Sequence, residues 1–402
     1  MLEDGVDFIK GGTVTSPVGF RAGATSAGIS RISGKLDLGI LCSDSPCAAA
    51  GVFTRNRIQA APVILSRKRV EKGQAVAIVA SSGCANAFTG EAGLADAGEM
   101  TELAAVKYGL RPDDVLVAST GVIGVRLPMA KLRQAMGKVT LKAEGGHELA
   151  RAIMTTDTVP KEVAVKVRGK FTIGGIAKGS GMIHPDMGTL LCFLTTDADV
   201  EPVYLQKALA KAVDISFNMV SVDGDTSTND TVFLMANGLA KGEAISGGSL
   251  LAEKFQHALD VVCTYLAREI ARDGEGATRL FEFTVEGAWN ADEAKLAART
   301  VISSPLVKTA VHGADPNWGR IVAALGRSSI AIEPDKVDLK FGEVYIIRGG
   351  TLQNYDEGGV AEYLKSAEIT VAINLHLGNG KATAWGCDLS KEYVAINSEY
   401  TS

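Results

Sequence analysis

The segment that most constrains the fold of this 402-residue chain covers residues 178–197. It begins with a flexible Gly-Ser-Gly sequence, reaches Gly188, and becomes continuously apolar just after Thr189. A short apolar run bounded by glycine is typical of a buried strand. Two interpretations follow from this pattern. Either Thr189 simply opens a core strand after a turn, or the 188–189 peptide bond is a site where the chain is cut.

Cleavage at this bond would create an N-terminal nucleophile. Thr189 would then carry a free α-amine, with a pKa of about 8, beside its own hydroxyl, so the amine could act as general base without a histidine. The Thr189 hydroxyl could drive the cleavage itself by attacking the Gly188 carbonyl, and water would hydrolyse the resulting ester. Glycine before the bond tolerates a strained backbone and leaves the carbonyl unshielded.

The sequence offers little support for metal or nucleotide chemistry. Its five histidines are isolated, its six cysteines form no C-x-x-C pair, and there is no H-E-x-x-H motif. Neither a phosphate-binding G-x-x-x-x-G-K-[ST] loop nor a complete G-x-G-x-x-G is present. We therefore expect free thiols used as small apolar residues, with no resident metal or cofactor.

Charge and hydropathy argue against nucleic-acid and membrane partners. The net charge is −5, and the longest basic run is the triplet 67–69. No apolar run approaches the ~20 residues of a membrane span, and the acidic start at residues 1–4 is unlike a secretion signal. These features predict a cytoplasmic protein. The charge is unevenly spread, however: residues 1–188 carry a net +6 and residues 189–402 a net −11.

The hydrophobic pattern predicts a mixed α/β fold. Strand-like segments cover residues 75–80, 115–118, 163–167, 190–195, 231–236, 281–285 and 369–375. Helix-like segments cover residues 92–108, 131–136, 203–214, 250–272 and 291–301. Because the two kinds do not alternate regularly, we expect α+β-like mixed sheets layered with helices, and not a parallel doubly wound sheet.

Several longer blocks resemble the glutamate N-acetyltransferase/ornithine acetyltransferase family of arginine biosynthesis. The resemblance runs from about residue 7 to 402, and its clearest blocks are 82–90, 118–124, 154–158, 178–197, 216–230, 308–320 and 385–390. Two positions depart from the family pattern: Cys84 stands where asparagine is usual, and Gly188 where alanine is usual. Both are small changes, and Gly188 should still permit cleavage.

The resemblance implies a fold, an organisation and a reaction. It implies the N-terminal-nucleophile-like, DmpA-like ornithine acetyltransferase fold, with an α chain of residues 1–188 and a β chain of residues 189–402, assembled as a heterotetramer of two of each. The implied reaction moves acetyl from N2-acetyl-L-ornithine to L-glutamate, giving ornithine and N-acetylglutamate. No cofactor is implied, although bifunctional members also take acetyl-CoA as co-substrate. The sequence does not separate bifunctional from monofunctional members, and we favour the bifunctional case as the commoner.

The same resemblance assigns roles to individual residues. It makes Thr189 the nucleophile, bonded to Gly188 before cleavage, and makes Thr120 and Gly121 the oxyanion hole. The residues that match its substrate contacts are Thr155, Lys178, Thr189, Glu275, Asn397 and Ser402. Thr156 is the alternative to Thr155 if the register differs by one.

Several of these positions also have ordinary interpretations. Lys178 could be a solvated surface lysine. The glycines that flank Glu275 could let the backbone come close to a ligand, whose ammonium the carboxylate would bind, or Glu275 could be an ordinary exposed loop glutamate. The acidic turn at 223–230 could resemble a calcium loop, but it lacks the glutamate at its twelfth position, so we expect a hydrogen-bonded corner near the site. Trp318 and Trp385 are expected in the core. A hydrolase or aminopeptidase of the same fold, and a binding protein that is never cut, remain alternatives.

Overall fold

Two mixed β-sheets covered by helices form the described part of this computed structural model, residues 5–184 and 190–399. In that part, the first sheet has nine strands in the order β1-β6-β7-β8-β10-β3-β4-β5, with β2 paired beside β3. Its strands are β1 Val6–Phe8, β2 Phe20–Thr25, β3 Leu38–Phe53, β4 Gln74–Cys84, β5 Val115–Val122, β6 Lys161–Val167, β7 Phe171–Lys178, β8 Leu191–Thr196 and β10 Thr231–Ala236.

The second sheet has seven strands in the described chain, ordered β14-β13-β12-β15-β11-β16-β9. Its strands are β9 Val220–Ser221, β11 Leu280–Ala288, β12 Asp338–Phe341, β13 Val344–Arg348, β14 Thr351–Leu352, β15 Glu368–Asn374 and β16 Gly380–Cys387. The sheet mixes pairings, because β11 runs parallel to β15 and antiparallel to β16. The prediction of mixed sheets layered with helices is confirmed.

Helices cover both sheets and enclose three buried apolar clusters. Among the described residues they are α1 Ala61–Val70, α2 Gly90–Tyr108, α3 Met129–Met136, α4 Gly146–Ala152, α5 Pro202–Ile215, α6 Leu250–Arg272, α7 Ala291–Ile302, α8 Pro305–His312, α9 Trp318–Gly326, α10 Glu357–Tyr363 and α11 Lys391–Glu399. None of them combines the length and apolar character that a membrane crossing would need. Trp385 is buried and Trp318 is half-buried against the largest cluster, as predicted.

Helix α6 shows how local sequence determines an element here. Ser249 caps it, since its Oγ accepts a hydrogen bond from the N–H of Ala252 at 3.1 Å. Its apolar face, from Phe255 to Ile270, is fully buried. The predicted bounds of 250–272 are confirmed without change.

The 188–189 junction lies in the connection between two neighbouring strands of the first sheet. Strand β7 ends at Lys178, which pairs with Leu191 at the start of the antiparallel strand β8. β8 also runs parallel to β10, and β10 pairs in turn with β3. Residues 1–188 and 189–402 therefore both supply strands to the first sheet. Neither part of the chain could form this nine-stranded sheet alone.

Candidate active site

One pocket collects most of the residues that the sequence singled out. It has a volume of about 630 Å³, counting space open to solvent. Six of the nine predicted site residues line it: Thr120, Gly121, Thr155, Lys178, Glu275 and Asn397. They come from β5, the segment after α4, the end of β7, the loop after α6, and α11. Gly188, Thr189 and Ser402 lie outside the described residues.

Thr120 and Gly121 sit where β5 leaves regular pairing with β4. The register shifts at Cys84, which faces both Thr120 and Val122. Gly121 has φ = +130°, and a Cβ on it would lie 2.4 Å from the carbonyl carbon of Gly83. Only glycine fits this backbone conformation and this close approach. The pair thus forms a strand-to-loop corner that lines the pocket.

Cys84, one of the two departures from the family pattern, is accommodated locally. Its side chain is buried, and its Sγ donates to the carbonyl of Val125 at 3.1 Å. This contact links the end of β4 to the loop after β5. A thiol can therefore serve at this position as a small side chain with one weak donor.

Lys178 is almost fully buried, with 2% of its surface exposed. Its Nζ lies 3.4 Å from Thr120 Oγ1 and 4.0 Å from Asp157 Oδ2. Burial lowers the pKa of Lys178, and the negative charge of Asp157 is the largest effect that opposes this. The interpretation of Lys178 as a solvated surface lysine is therefore wrong.

Asp157 is a buried carboxylate behind the pocket-lining residues Thr155 and Lys178, and the sequence did not identify it. Its Oδ1 accepts hydrogen bonds from Lys161 Nζ and from the N–H of Gly179, both at 2.7 Å. Its Oδ2 accepts from the N–H of Thr155 at 3.0 Å. Burial raises its pKa, but Lys178 and Lys161 outweigh this effect and hold the pKa below the usual aspartate range. The only signal in the sequence was its place in the threonine-rich block 154–158.

Thr155 and Thr156 both reach the pocket wall. The Thr156 hydroxyl lies 2.7 Å from the hydroxyl of the fully buried Ser180. Thr155 is fixed through its backbone, which bonds to Asp157. The predicted contact at Thr155 thus lies at the pocket, and the alternative at Thr156 lies there too.

Glu275 and Asn397 meet at the other side of the pocket. Asn397 Nδ2 donates to Glu275 Oε2 at 2.8 Å, and the N–H of Glu275 donates to the carbonyl of Ser180. Glu275 is half-buried, so the interpretation of it as an exposed loop residue is wrong. Helix α11 brings Asn397 here from a position 122 residues further along the chain. The expectation that the end of the chain folds onto the site holds for Asn397.

The glycines beside Glu275 have a different purpose from the one predicted. A Cβ on Gly274 would lie 2.7 Å from Cys387 Sγ, and one on Gly276 would lie 2.4 Å from the backbone nitrogen of Tyr393. Gly276 also has φ = +68°. These glycines let β16 and α11 pack against the loop, so they admit neighbouring protein segments and not a ligand. The residue whose missing side chain makes room at the carboxylate itself is Gly181.

The acidic turn 223–230 is a hydrogen-bonded corner against the pocket, as predicted. Asn229 Nδ2 donates to the carbonyls of Ala85 and Ser119, at 2.7 and 2.8 Å. Asp223 accepts from the backbone N–H groups of Met182 and Ile183, at 2.5 and 2.9 Å. Burial raises the pKa of Asp223 to about 6. Across the described residues, no group of three or more candidate metal ligands occurs.

Sequence reasoning missed most of the neutral part of the pocket lining. These residues are Ala85, Ile123, Gly181 and Met182, together with Ser227, Thr228 and Asn229 of the turn that was predicted only as a corner near the site. All seven fall inside blocks that resembled the family, but small and neutral side chains carry no chemical signature of their own. Their contribution here is shape and backbone placement.

Comparison with known proteins agrees with these observations. Residues 21–402 match the ArgJ family. A protein of Dehalococcoides mccartyi described as arginine biosynthesis bifunctional protein ArgJ is 52% identical over 100% of both chains. A protein of Symbiobacterium thermophilum with the same description is 50% identical over 98% of this chain and 100% of its own. The crystal structure of an ArgJ protein from Bacillus halodurans is 43% identical, with a TM-score of 0.50, and covers 51% of this chain and 97% of its own.

Proposed function

This chain belongs to the ArgJ family, and we propose that the pocket around Thr120, Lys178 and Glu275 is where it carries out the family's acetyl transfer. The activity is bifunctional: acetyl passes from N2-acetyl-L-ornithine to L-glutamate, and N-acetylglutamate is also made from acetyl-CoA and glutamate. Both reactions belong to arginine biosynthesis. The observation that carries the assignment of the site is the convergence of six separately predicted residues on one pocket.

In the proposed reaction, Thr189 is the nucleophile, and cleavage makes it the N-terminal residue of the second chain. Its hydroxyl oxygen attacks the acetyl carbonyl of acetylornithine while its own α-amine takes the hydroxyl proton. The tetrahedral oxyanion is stabilised by Thr120 and by the N–H of Gly121. Collapse expels ornithine, whose amine takes the proton back, and leaves an acetyl ester on Thr189. The amine of glutamate then attacks the ester, and the same steps in reverse release N-acetylglutamate.

Charges around the pocket suit amino-acid substrates. The Glu275 carboxylate can bind the side-chain ammonium of ornithine, and the Lys178 ammonium can bind a substrate carboxylate. Thr155, Asn397 and Ser402 complete the proposed contacts. Because Asn397 already donates to Glu275, it orients that carboxylate before substrate arrives.

Cleavage at Gly188–Thr189 divides the protein into the proposed α and β chains. The Bacillus halodurans chain supports this division, since 97% of it corresponds to only 51% of this chain. That is the length expected of one half of a cut precursor. We propose that two α and two β chains assemble into a heterotetramer. A cytoplasmic location agrees with six buried, free cysteines.

Gel electrophoresis under denaturing conditions and N-terminal sequencing test the nucleophile. The purified protein should give two bands, one of which begins at Thr189, and brief exposure to acetylornithine should add one acetyl group to that fragment alone. Thr189→Ala should leave the chain whole and inactive, while Thr189→Ser, which keeps a hydroxyl, should still be cut. A wild-type protein that runs as a single full-length band yet transfers acetyl would overturn the proposal. Release of free acetate in place of N-acetylglutamate would indicate a hydrolase.

A further inference from the structure

Beyond the residues already assigned, one buried ionic network connects to the proposed oxyanion hole. Lys178 and Lys161 flank Asp157, and Lys161 continues to Asp273, with Nζ to Oδ2 at 2.6 Å. All four side chains are at most 7% exposed. Buried charges destabilise a protein unless each is paired, so a network of four buried charges indicates a role beyond packing. Neither the proposed mechanism nor the family roles use Asp157.

The contacts of Lys178 suggest that reason. A lysine ammonium can only donate hydrogen bonds, whereas a neutral lysine amine can also accept one. At 3.4 Å from Thr120 Oγ1, a charged Lys178 donates to that oxygen and leaves the Thr120 hydrogen free to point elsewhere. A neutral Lys178 could instead accept that hydrogen and remove it from the pocket. Such contacts are commonly long before substrate binds.

We propose that Asp157 is a positioning residue for acetyl transfer: it keeps Lys178 an ammonium, so that the Thr120 hydroxyl donates its hydrogen to the developing oxyanion. The proposal rests on the proposed function of Thr120. Asp157 acts here through Lys178 and touches neither substrate nor reacting atoms. Its bonds to the N–H groups of Thr155 and Gly179 fix the carboxylate in place for this task.

The electrostatic surroundings of Lys178 support this role. Besides burial, which favours the neutral amine, Lys161 and Lys35 also disfavour the charge. Asp157 is the strongest opposing influence, and Glu275 is a weaker one. The buried carboxyl of Asp230 also interacts with Lys178, although burial raises its own pKa and so disfavours its negative charge. Removal of the Asp157 charge should therefore lower the pKa of Lys178 further.

Asp273 provides a matched control. It is buried in the same network and binds the opposite side of Lys161, and it also accepts from the N–H of Thr158 at 3.0 Å. Like Asp157 it does not line the pocket, but its ion pair is with Lys161 and not with Lys178. Asp273→Asn therefore removes a buried negative charge of the same kind without removing the counter-ion of Lys178.

The experiment compares Asp157→Asn and Asp273→Asn in the full-length, processed enzyme, with kcat expressed per chain that begins at Thr189. For Asp157→Asn we expect kcat to fall about 10–100-fold. This is less than the fall of about 10²–10³ that removal of an oxyanion donor causes, because the Thr120 hydroxyl is misdirected but still present. KM for acetylornithine should rise as well, because a neutral Lys178 no longer binds the substrate carboxylate, and the alkaline limb of the kcat profile should move to lower pH. Asp273→Asn should keep the kcat and the alkaline limb of the wild type.

A double-mutant cycle with Thr120→Val isolates the route of action. If Asp157 acts through Thr120, Asp157→Asn should cost little more once that hydroxyl is gone. Should Asp157→Asn fail to fold, Asp157→Glu keeps the charge and must keep the wild-type alkaline limb. Equal losses in the two aspartate variants, an unmoved alkaline limb in Asp157→Asn, or full additivity with Thr120→Val would each overturn the proposal. Failure to find acetyl on Thr189 would instead overturn the proposed function.

Discussion

Asp230 Oδ1 accepts a hydrogen bond from the backbone N–H of Leu190 at 2.8 Å. That nitrogen belongs to the peptide bond that joins Thr189 to Leu190. A buried carboxyl is therefore hydrogen-bonded to the residue that directly follows the proposed nucleophile. Among the described residues, none donates to its second oxygen, Oδ2. Burial raises the pKa of Asp230 well above the usual range, against the opposing effects of Leu190 and Lys178. Burial therefore disfavours the charged form of this carboxyl.

Because burial favours the neutral form of the Asp230 carboxyl, an amide should be able to replace it. Asp230→Asn keeps an acceptor for the Leu190 N–H, so we expect cleavage at 188–189 and most of the activity to persist. Asp230→Leu leaves that buried N–H without an acceptor, at a cost of about 1–3 kcal/mol, and we expect it to slow cleavage. The fraction of cut chain on a denaturing gel over time measures both. Loss of cleavage in Asp230→Asn would show that the negative charge is needed.

Gly121→Ala should disable the enzyme for a steric reason. The new Cβ would meet the Gly83 carbonyl carbon at 2.4 Å and would adopt φ = +130°, so the corner with Thr120 must move. Displacement of one oxyanion donor typically costs about 10²–10³ in kcat. Gly124→Ala is the control, because Gly124 also has positive φ (+80°) but a Cβ there meets nothing within 4 Å. Steady-state kinetics of the two variants should differ sharply, and similar kcat values would contradict this account.

Glu275→Gln should weaken substrate binding more than it slows chemistry. Loss of a charge-assisted hydrogen bond to an ammonium costs about 1.5–3 kcal/mol, which corresponds to about 10–100-fold in KM for acetylornithine. Ser398→Ala is the matched control on α11, because its hydroxyl donates to the Ala395 carbonyl and does not line the pocket. A fall in kcat at unchanged KM would place Glu275 in the chemical step instead.

Elements with strong local signals could be predicted closely from the sequence. Helix α6 has a serine cap and a continuous apolar face, and its predicted bounds are confirmed. Strand β3, by contrast, escaped detection over all 16 residues, because its centre reads Ser-Asp-Ser-Pro. Its register with β4 shifts between Cys42 and Cys47, which is where the polar residues and the proline lie. The paired segments before and after this irregularity keep the strand extended. Such a strand is stabilised by partners far away in sequence, which no local pattern reveals.

Apart from the Gly188–Thr189 junction, whose local pattern suggested cleavage, the residues of the site were predictable only from the resemblance. Glu275 and Asn397 lie 122 residues apart, and nothing in their local sequence indicates that they meet. Asp157 was missed because its importance depends on burial between two lysines, and composition does not report burial. The purpose of Gly274 was misread for the same reason, since the segment that packs against it comes from β16.

Asp223 should make stability depend on pH in a defined window. Its pKa is about 6 in the folded protein and about 4 in an unfolded chain, so the native state holds a proton that the unfolded state releases. The contribution to stability is therefore complete below pH 4 and is lost as the pH rises through 6, by up to about 3 kcal/mol. Asp223→Asn should flatten this part of the profile in urea titrations from pH 4 to 7. Asp292→Asn, at a side chain that is 96% exposed, is the control. Equal slopes for wild type and Asp223→Asn would contradict the assignment.

The cut halves should stay together in high salt, although their opposite net charges of +6 and −11 favour attraction. Salt at about 1 M shortens the screening length to about 3 Å and weakens exposed charge pairs. It leaves intact the six-residue pairing of β7 with β8 and the apolar cluster that joins Val163 to Leu209. The Lys161–Asp273 pair between the halves is buried and is screened little. We therefore expect one peak in size-exclusion chromatography at about 1 M NaCl, and separation only in concentrated denaturant. Separation in salt alone would show that long-range charge, and not the shared sheet and core, holds the chains together.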